Sequence, residues 1–122
     1  MFDHVSIRVN DIGRSKAFYS AALAPLGFKI VKDIPERSAV AFGVERPQFW
    51  VKQGETSKVP LHFAFSAKTR ADIDAFHAAA LAAGGTDNGA PGPRPKEHSP
   101  HCYAAFVFDP DGNNIEADCH AA

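Results

Sequence analysis

The chain has little cysteine, almost no net charge and no long apolar run. Its two cysteines, Cys102 and Cys119, lack CxxC spacing, so a reducing cytoplasm is the expected location. The formal net charge of −1 gives no reason to expect nucleic acid or an anionic membrane as a partner. No apolar stretch approaches the roughly 20 residues that a membrane helix needs, and no signal peptide is expected at the N-terminus.

Short motifs of several enzyme classes are also missing. The sequence contains no GxSxG, P-loop, HExxH or GxGxxG pattern, so the corresponding chemistries have no local support. What is present is an ordinary globular composition, with 45% apolar and 22% charged residues in a chain of 122. A chain of this length is expected to form one domain with a core of its own.

The most informative feature that is present is an internal repeat. A shift of 58 residues superposes the start of the chain on its middle without a gap. His4 then falls on His62, and phenylalanine, leucine and glycine positions that follow also match. The repeat predicts a single domain, residues 1–122, made of two copies at about 1–58 and 59–122.

Hydrophobic periodicity predicts the same order of elements in both copies, because alternation indicates strands and helical spacing indicates helices. The elements predicted for the first copy are a strand at 2–9, a helix at 11–23 and strands at 28–32, 39–43 and 48–53. Those predicted for the second copy are a strand at 61–67, a helix capped by Thr69 and strands at 103–109 and 113–119. The pattern predicts an α+β fold of two tandem βαβββ modules, with helices outside and a concave mixed sheet enclosing a cavity.

Two segments of the second copy are rich in turn-forming residues. Residues 88–95 alternate glycine and proline with other residues and predict an ordered loop or lid, which continues to residue 100 and lines the pocket. His98 and His101 are three residues apart in it, but the intervening proline favours a cavity rim or surface over a preformed metal site. The Asp-Pro-Asp-Gly sequence at 109–112 predicts a turn, because proline presets φ and glycine adopts positive φ.

Strand alternation places three candidate metal ligands on one side of the predicted sheets. His4, His62 and Glu116 each lie opposite the apolar side chains of their own strand. If the helices cover the apolar faces, all three point to the concave side. Two imidazoles and a carboxylate there suit a divalent metal with open positions. Each residue taken alone is also consistent with ordinary polar surface.

The two-copy order, the histidine that opens each copy and the segment FVFDPDGNNIE at 106–116 resemble the vicinal oxygen chelate superfamily. Its members include glyoxalase I, extradiol dioxygenases, fosfomycin-resistance enzymes and bleomycin-binding proteins. The resemblance covers nearly the whole chain and is greatest to small glyoxalase-like bacterial proteins. It implies that His4, His62 and Glu116 hold a metal that acts as a Lewis acid on vicinal oxygens of a small-molecule substrate, or that activates dioxygen.

One ligand position of the glyoxalase I pattern is not matched. That pattern has a second carboxylate in the last strand of the first copy, and matching residues 114–116 with 48–50 puts Trp50 there. Indole cannot bind a metal, although the amide oxygen of Gln48 could do so weakly. The two-histidine, one-carboxylate set that is left is the arrangement of extradiol dioxygenases, and zinc, nickel, iron and manganese all fit it.

The remaining expectations concern the pocket and the function. The residues expected to shape the substrate pocket are Arg8, Gln48, Trp50 and Tyr103. Proton transfer is assigned to Glu116 and to His101 or Tyr103. The main hypothesis is a metal-dependent enzyme of lyase or isomerase type. The alternatives are a metal-free drug-binding protein of the bleomycin-resistance type and an extradiol-type dioxygenase. A homodimer is expected by analogy, since superfamily members pair by an edge or by exchange of copies.

Overall fold

The computed structural model describes residues 1–95 and 99–121, and each half contains a strand, a helix and three further strands. The first module consists of β1 (Val5–Val9), α1 (Ile12–Leu23), β2 (Lys29–Ile34), β3 (Ala39–Gly43) and β4 (Phe49–Gln53). The second consists of β5 (His62–Ser66), α2 (Arg70–Ala82), β6 (Thr86–Pro93), β7 (Tyr103–Phe108) and β8 (Asn114–Cys119). The predicted α+β fold of two βαβββ modules is confirmed. Neither α-helix is long and apolar enough to cross a membrane within the described residues.

Each module forms a four-stranded mixed sheet. The strand order is β1-β4-β3-β2 in the first sheet and β5-β8-β7-β6 in the second. β1 is parallel to β4 and β5 is parallel to β8, whereas the other neighbours are antiparallel. The strand that opens each module is therefore an edge strand of its sheet, and the sequence repeat extends to the topology.

Both helices begin where the sequence predicts them. The Asp11 carboxylate accepts a hydrogen bond from the Arg14 backbone N–H at 3.1 Å, and Thr69 Oγ1 accepts from the Asp72 N–H at the same distance. These bonds satisfy donors that have no partner within the first turn of a helix. The chain leaves the first helical segment at Gly27, whose φ of 88° is a left-handed conformation that glycine adopts without strain.

The two modules share one apolar core, which lies between their helix-bearing faces. Helices α1 and α2 contact each other, and buried side chains from both helices and both sheets belong to one cluster. Phe49 of the first sheet lies 5.8 Å from Phe63 and 5.3 Å from Phe65, ring centre to ring centre. Each helix therefore buries its apolar face in this shared core and exposes its opposite face.

This packing leaves the other face of each sheet without a helix. The helix-free face of the first sheet carries Ser6, Arg8, Ala41, Trp50 and Lys52. The helix-free face of the second sheet carries His62, Ala64, Phe106, Glu116 and Asp118.

A polar network joins the modules beside the core. The buried Tyr19 hydroxyl on α1 donates to the Asp109 carboxylate, which also accepts from the Asn113 backbone N–H at 2.9 Å. Burial, and then the charge of Asp109, raise the pKa of Tyr19 well above its usual range. In the same turn, Asp111 accepts from the Asn10 backbone N–H at 3.1 Å. The predicted turn at 109–112 thus forms, with Gly112 at φ 86°, and ties the end of the second module to the first.

The prediction of a loop at residues 88–95 is wrong for most of that segment. Strand β6 extends to Pro93 and pairs with β7, with register irregularities around Gly89 and between Gly89 and Gly92. Proline and glycine are tolerated here because β6 is an edge strand, where outward backbone groups need no partner in the sheet. The rest of the segment predicted to line the pocket includes residues 96–98, with His98, which lie outside the described residues.

Candidate functional site

His62 and Glu116 meet on the helix-free face of the second sheet. His62 Nε2 lies 2.7 Å from Glu116 Oε1. Strands β5 and β8 are parallel neighbours and Ala64 faces Glu116, so His62 and Glu116 are diagonal neighbours on one face. The glutamate side chain is 1% exposed and the imidazole 54% exposed. A buried carboxylate is therefore covered by a histidine that solvent and small molecules can reach.

Asp118 adds a second carboxylate beside Glu116. It lies two residues further along β8, on the same face and half-buried. Burial raises the pKa of Asp118 to about 8, and a hydrogen bond to Glu116 and the negative charge of Glu116 act in the same direction. The raised pKa of Asp118 therefore favours its protonated form at neutral pH in the metal-free protein. Side-chain alternation along β8 is enough to predict this face for Asp118, but no sequence pattern reports how deeply the carboxyl group is buried.

His4 does not join this pair within one chain. It precedes edge strand β1 of the first sheet, its side chain is 53% exposed, and its Nδ1 lies 2.8 Å from Asp3 Oδ1. Among the described residues, 1–95 and 99–121, no group of three or more His, Cys, Asp or Glu side chains could hold a metal ion. The structure thus brings together two of the three predicted ligands. One imidazole nitrogen and one carboxylate oxygen fit part of a divalent metal site, which needs at least one more donor.

The predicted pocket residues are divided among three places. Arg8 and Trp50 lie on the helix-free face of the first sheet, where the Lys52 ammonium is 5.5 Å from the centre of the Trp50 ring. Gln48 lines a groove between the modules that also contains His62. Gln48 therefore shares a groove with His62, whereas Arg8 and Trp50 do not line that groove.

Tyr103 and His101 lie elsewhere. The Tyr103 hydroxyl donates to the Asp74 carboxylate of α2 at 2.7 Å, which places the ring on the helix-bearing side of the second sheet. Tyr103 therefore faces away from Glu116, because neighbouring residues of a strand alternate between faces and Ala104, not Tyr103, shares the parity of Phe106. His101 is an exposed residue of the turn before β7. The positions of Tyr103 and His101 do not support the pocket and proton-transfer roles expected from the sequence.

The groove between the modules is largely apolar. Its volume is about 310 Å³, and its wall is formed by Phe2, Val5, Phe28, Phe42, Gln48, Phe49, His62, Phe63, Ala64 and Phe65. Six phenylalanines and one imidazole suit a small ligand that is mostly apolar with a polar end. His62 is thus accessible both from the helix-free face and from this groove.

Arg94 and Phe106 are further candidate site residues that the sequence did not indicate. The guanidinium carbon of Arg94 lies 5.7 Å from the centre of the Phe106 ring, and Phe106 is directly across the strand pair from Glu116. The prediction of a loop at 88–95 hid this relation, because only the pairing of β6 with β7 brings Arg94 over the second sheet. Only a prediction of a strand at residues 86–93 would have indicated that Arg94 lies near Phe106.

Two modules of like topology with a histidine–glutamate pair on one sheet define a small protein of the vicinal oxygen chelate type. Residues 1–117 match the Glyoxalase/Bleomycin resistance protein/Dioxygenase superfamily. The chain belongs to this superfamily. A comparison with curated proteins found no match.

Solved structures with the same fold include relatives of different activity. A glyoxalase/bleomycin resistance protein from Albidiferax ferrireducens T118 is 33% identical, with a TM-score of 0.82 and 99% of each chain covered. Fosfomycin resistance protein FosX from Mesorhizobium loti is 19% identical, with a TM-score of 0.71 over 99% of this chain and 92% of that one. Lactoylglutathione lyase from Agrobacterium tumefaciens is 18% identical, with a TM-score of 0.69 over 98% and 92%. The last two likenesses show the fold alone.

Proposed function

We propose that the protein is a glyoxalase-like, metal-dependent enzyme of lyase or isomerase type that acts on a small molecule with two adjacent oxygens. The observation that carries the proposal is the contact between His62 Nε2 and Glu116 Oε1 at 2.7 Å. Imidazole and carboxylate are ligands that zinc, nickel, iron and manganese all accept. The superfamily, which includes glyoxalases, agrees with this assignment.

The third ligand in this proposal is His4 of a second copy. Within one chain His4 contacts Asp3, and it forms no group with His62 and Glu116 among the described residues. A twofold dimer can place the first module of each copy over the second module of the other, which gives two equivalent sites. Trp50 on the same face as His4 would then stand beside the ligand set and restrict the pocket.

A bound metal would supply Lewis-acid stabilisation of negative charge on a substrate oxygen. His62 and Glu116 would hold it, and Asp118, two residues further along β8 on the same face, would be an outer neighbour of the ligating carboxylate. The half-exposed imidazole leaves access for substrate from the groove. Glu116 is also the carboxylate best placed to accept a proton from a substrate carbon near the metal.

The second candidate function is metal-free binding of a small apolar molecule. The aromatic groove of about 310 Å³ favours it, since this groove is formed within one chain and needs no further ligand. In this case His62 would provide a hydrogen bond at the groove's polar end. An extradiol-type dioxygenase remains the third hypothesis, and it requires iron and oxygen uptake with catechols.

The experiment that tests the proposal is metal analysis of protein purified without chelator, followed by calorimetric titration of Mn²⁺ and Zn²⁺ into metal-depleted protein. We expect about one divalent ion per chain, and His62→Ala should weaken binding by about a hundredfold or more, because it removes a direct ligand. Finding no metal, together with unaltered Zn²⁺ titrations in His62→Ala, would leave only the binding hypothesis.

The matched control is His77→Ala. His77 Nε2 lies 2.9 Å from Asp87 Oδ1 in the second module, so it forms an imidazole–carboxylate contact away from the proposed site. This variant should bind metal like the native protein. Equal losses in both variants would indicate adventitious binding to histidine–carboxylate pairs in general.

A further inference from the structure

Arg94 is held on the helix-free face of the second sheet by contacts that, among residues 1–95 and 99–121, leave part of its guanidinium without a hydrogen-bond partner. Its backbone N–H donates to the Cys102 carbonyl at 2.8 Å, which fixes the end of β6 against the chain entering β7. The guanidinium donates to the Pro93 carbonyl at 3.2 Å and to the Ala90 carbonyl at 2.8 Å. A guanidinium has five N–H donors, so these two bonds position the group without exhausting it.

The aromatic ring below Arg94 completes its support. Phe106 lies beneath the guanidinium, and its edge comes so close to Gly89 that a Cβ there would be 2.9 Å from the ring. The absence of a side chain at Gly89 therefore leaves the room in which ring and guanidinium stack. A half-buried guanidinium on an aromatic face is weakly hydrated and suited to bind a carboxylate or phosphate anion.

The position of this cation relates it to the proposed metal site. Phe106 and Glu116 face each other on neighbouring strands, which are separated by about 4.8 Å. The charge of Arg94 is not neutralised by any carboxylate within ion-pair distance among residues 1–95 and 99–121. A small molecule bound at His62 and Glu116 can thus reach Arg94 with a group only a few bonds from its metal-binding end.

We infer that Arg94 is a specificity-determining residue that binds a carboxylate, phosphate or phosphonate group of the substrate. The inference rests on the proposed metal site, and it names the class of substrate as an anion whose charged group is separated by a short spacer from two adjacent oxygens. A guanidinium binds such groups through two parallel hydrogen bonds, which a lysine cannot do.

Two probes that differ only in the anionic group test the inference. Succinic acid monohydroxamate and butyrohydroxamate have the same length and the same two chelating oxygens, but only the first ends in a carboxylate. With Mn²⁺-loaded native protein, calorimetry should give about tenfold tighter binding of the succinic probe. In Arg94→Gln this preference should fall to less than about twofold, while the affinity for butyrohydroxamate stays unchanged.

The chain provides a matched control on the opposite side of the same sheet. The Arg70 guanidinium carbon lies 5.0 Å from the centre of the Tyr103 ring, in the same kind of stacked pair but against α2. Arg70→Gln should keep the preference for the succinic probe. Arg94→Lys should keep only part of it, because the charge remains and the paired hydrogen bonds are lost. Thermal unfolding of each variant reports whether it is folded.

A second measurement separates failure of this inference from failure of the proposed function. Metal-free native protein is titrated with inorganic phosphate at constant ionic strength, and the side-chain N–H resonances of the arginines are followed by NMR. The Arg94 resonance should shift to saturation while that of Arg70 does not. If metal fails to bind but this shift is present, only the metal proposal is wrong. If metal binds, but neither the preference for the succinic probe nor the phosphate-induced shift depends on Arg94, the inference is overturned. Arg94 then serves only to hold the end of β6 in place.

Discussion

At the scale of single residues, the three ionisable side chains of the candidate site differ in how deeply they are buried. Glu116 is almost fully buried, Asp118 is half-buried beside it, and His62 is half-exposed above. Two neighbouring carboxyl groups repel each other when both are ionised, so the metal-free face keeps a proton that a bound cation would displace. Alternation of side chains along β8 predicted the shared face, but no sequence pattern reports the burial that sets the pKa.

The raised pKa of Asp118 predicts how stability depends on pH. The folded protein retains a proton that the unfolded chain loses, between the ordinary pKa of 3.8 and about 8, so stability falls as pH rises through this window. Asp118→Asn should remove this decline, since its amide donates to Glu116 without titrating. We expect metal-free Asp118→Asn to gain about 1–2 kcal/mol at pH 8, a value reduced for partial exposure, and little at pH 4.

Urea unfolding at both pH values measures this effect. The exposed carboxylate Glu45 supplies the control, because Glu45→Gln changes the same charge on the first module away from the site. An equal gain in both variants would assign the effect to net charge. A loss in Asp118→Asn at pH 8 would show that the ionised pair stabilises the fold.

At the scale of elements, close packing between the modules depends on particular small residues. Gly85, which follows α2, lies against Phe18 of α1. The repeat in the sequence placed a glycine at the end of both helical segments, and its role as a helix terminator was predictable. The contact of Gly85 with the other module was not, because it depends on how two segments more than 60 residues apart pack together.

Gly85→Ala is expected to destabilise the protein by about 1–3 kcal/mol, because overpacking forces a buried ring or backbone to move. The new Cβ would lie 2.8 Å from Phe18 Cε1 and 2.9 Å from the Ala80 carbonyl oxygen. Gly13→Ala in α1 is the control: its Cβ meets nothing closer than 3.5 Å, so it should be neutral or stabilising. The midpoint temperature of thermal unfolding, measured for both variants, tests this prediction. An unchanged midpoint for Gly85→Ala would contradict the close-packing argument.

At the scale of the whole molecule, the arrangement of the modules was the least predictable feature. The order of elements and the His62–Glu116 pair follow from local periodicity, because both concern neighbours within one module. The position of His4 depends on which sheet faces are buried together, and the apolar faces were correctly identified without revealing that they share a core. Strand β6 was missed for a related reason, since only its place at a sheet edge makes its prolines acceptable.

The proposed metal site, shared between two copies of the chain, predicts complementation between variants. His4→Ala and His62→Ala each remove one ligand from every site of a homodimer. Mixed dimers of the two variants have one site without either histidine and one site with both. After unfolding and refolding together in equal amounts, about one quarter of the sites should bind metal with native affinity.

Calorimetric titration of the refolded mixture measures the fraction of native sites, and each variant refolded alone is its control. If both histidines came from the same chain, mixing would restore none. If His4 were no ligand at all, His4→Ala alone would already bind like the native protein.

The bond from Tyr19 to Asp109 shows that the two copies have ceased to be interchangeable. Matching the last strands of the copies puts Gly43 in the place of Asp109. A protein assembled from two first copies would therefore bury the Tyr19 hydroxyl without an acceptor, at a cost of about 1–3 kcal/mol for each such group. The backbone thus retains the symmetry of a duplication, whereas a buried side chain of the first module requires an acceptor that only the second module provides.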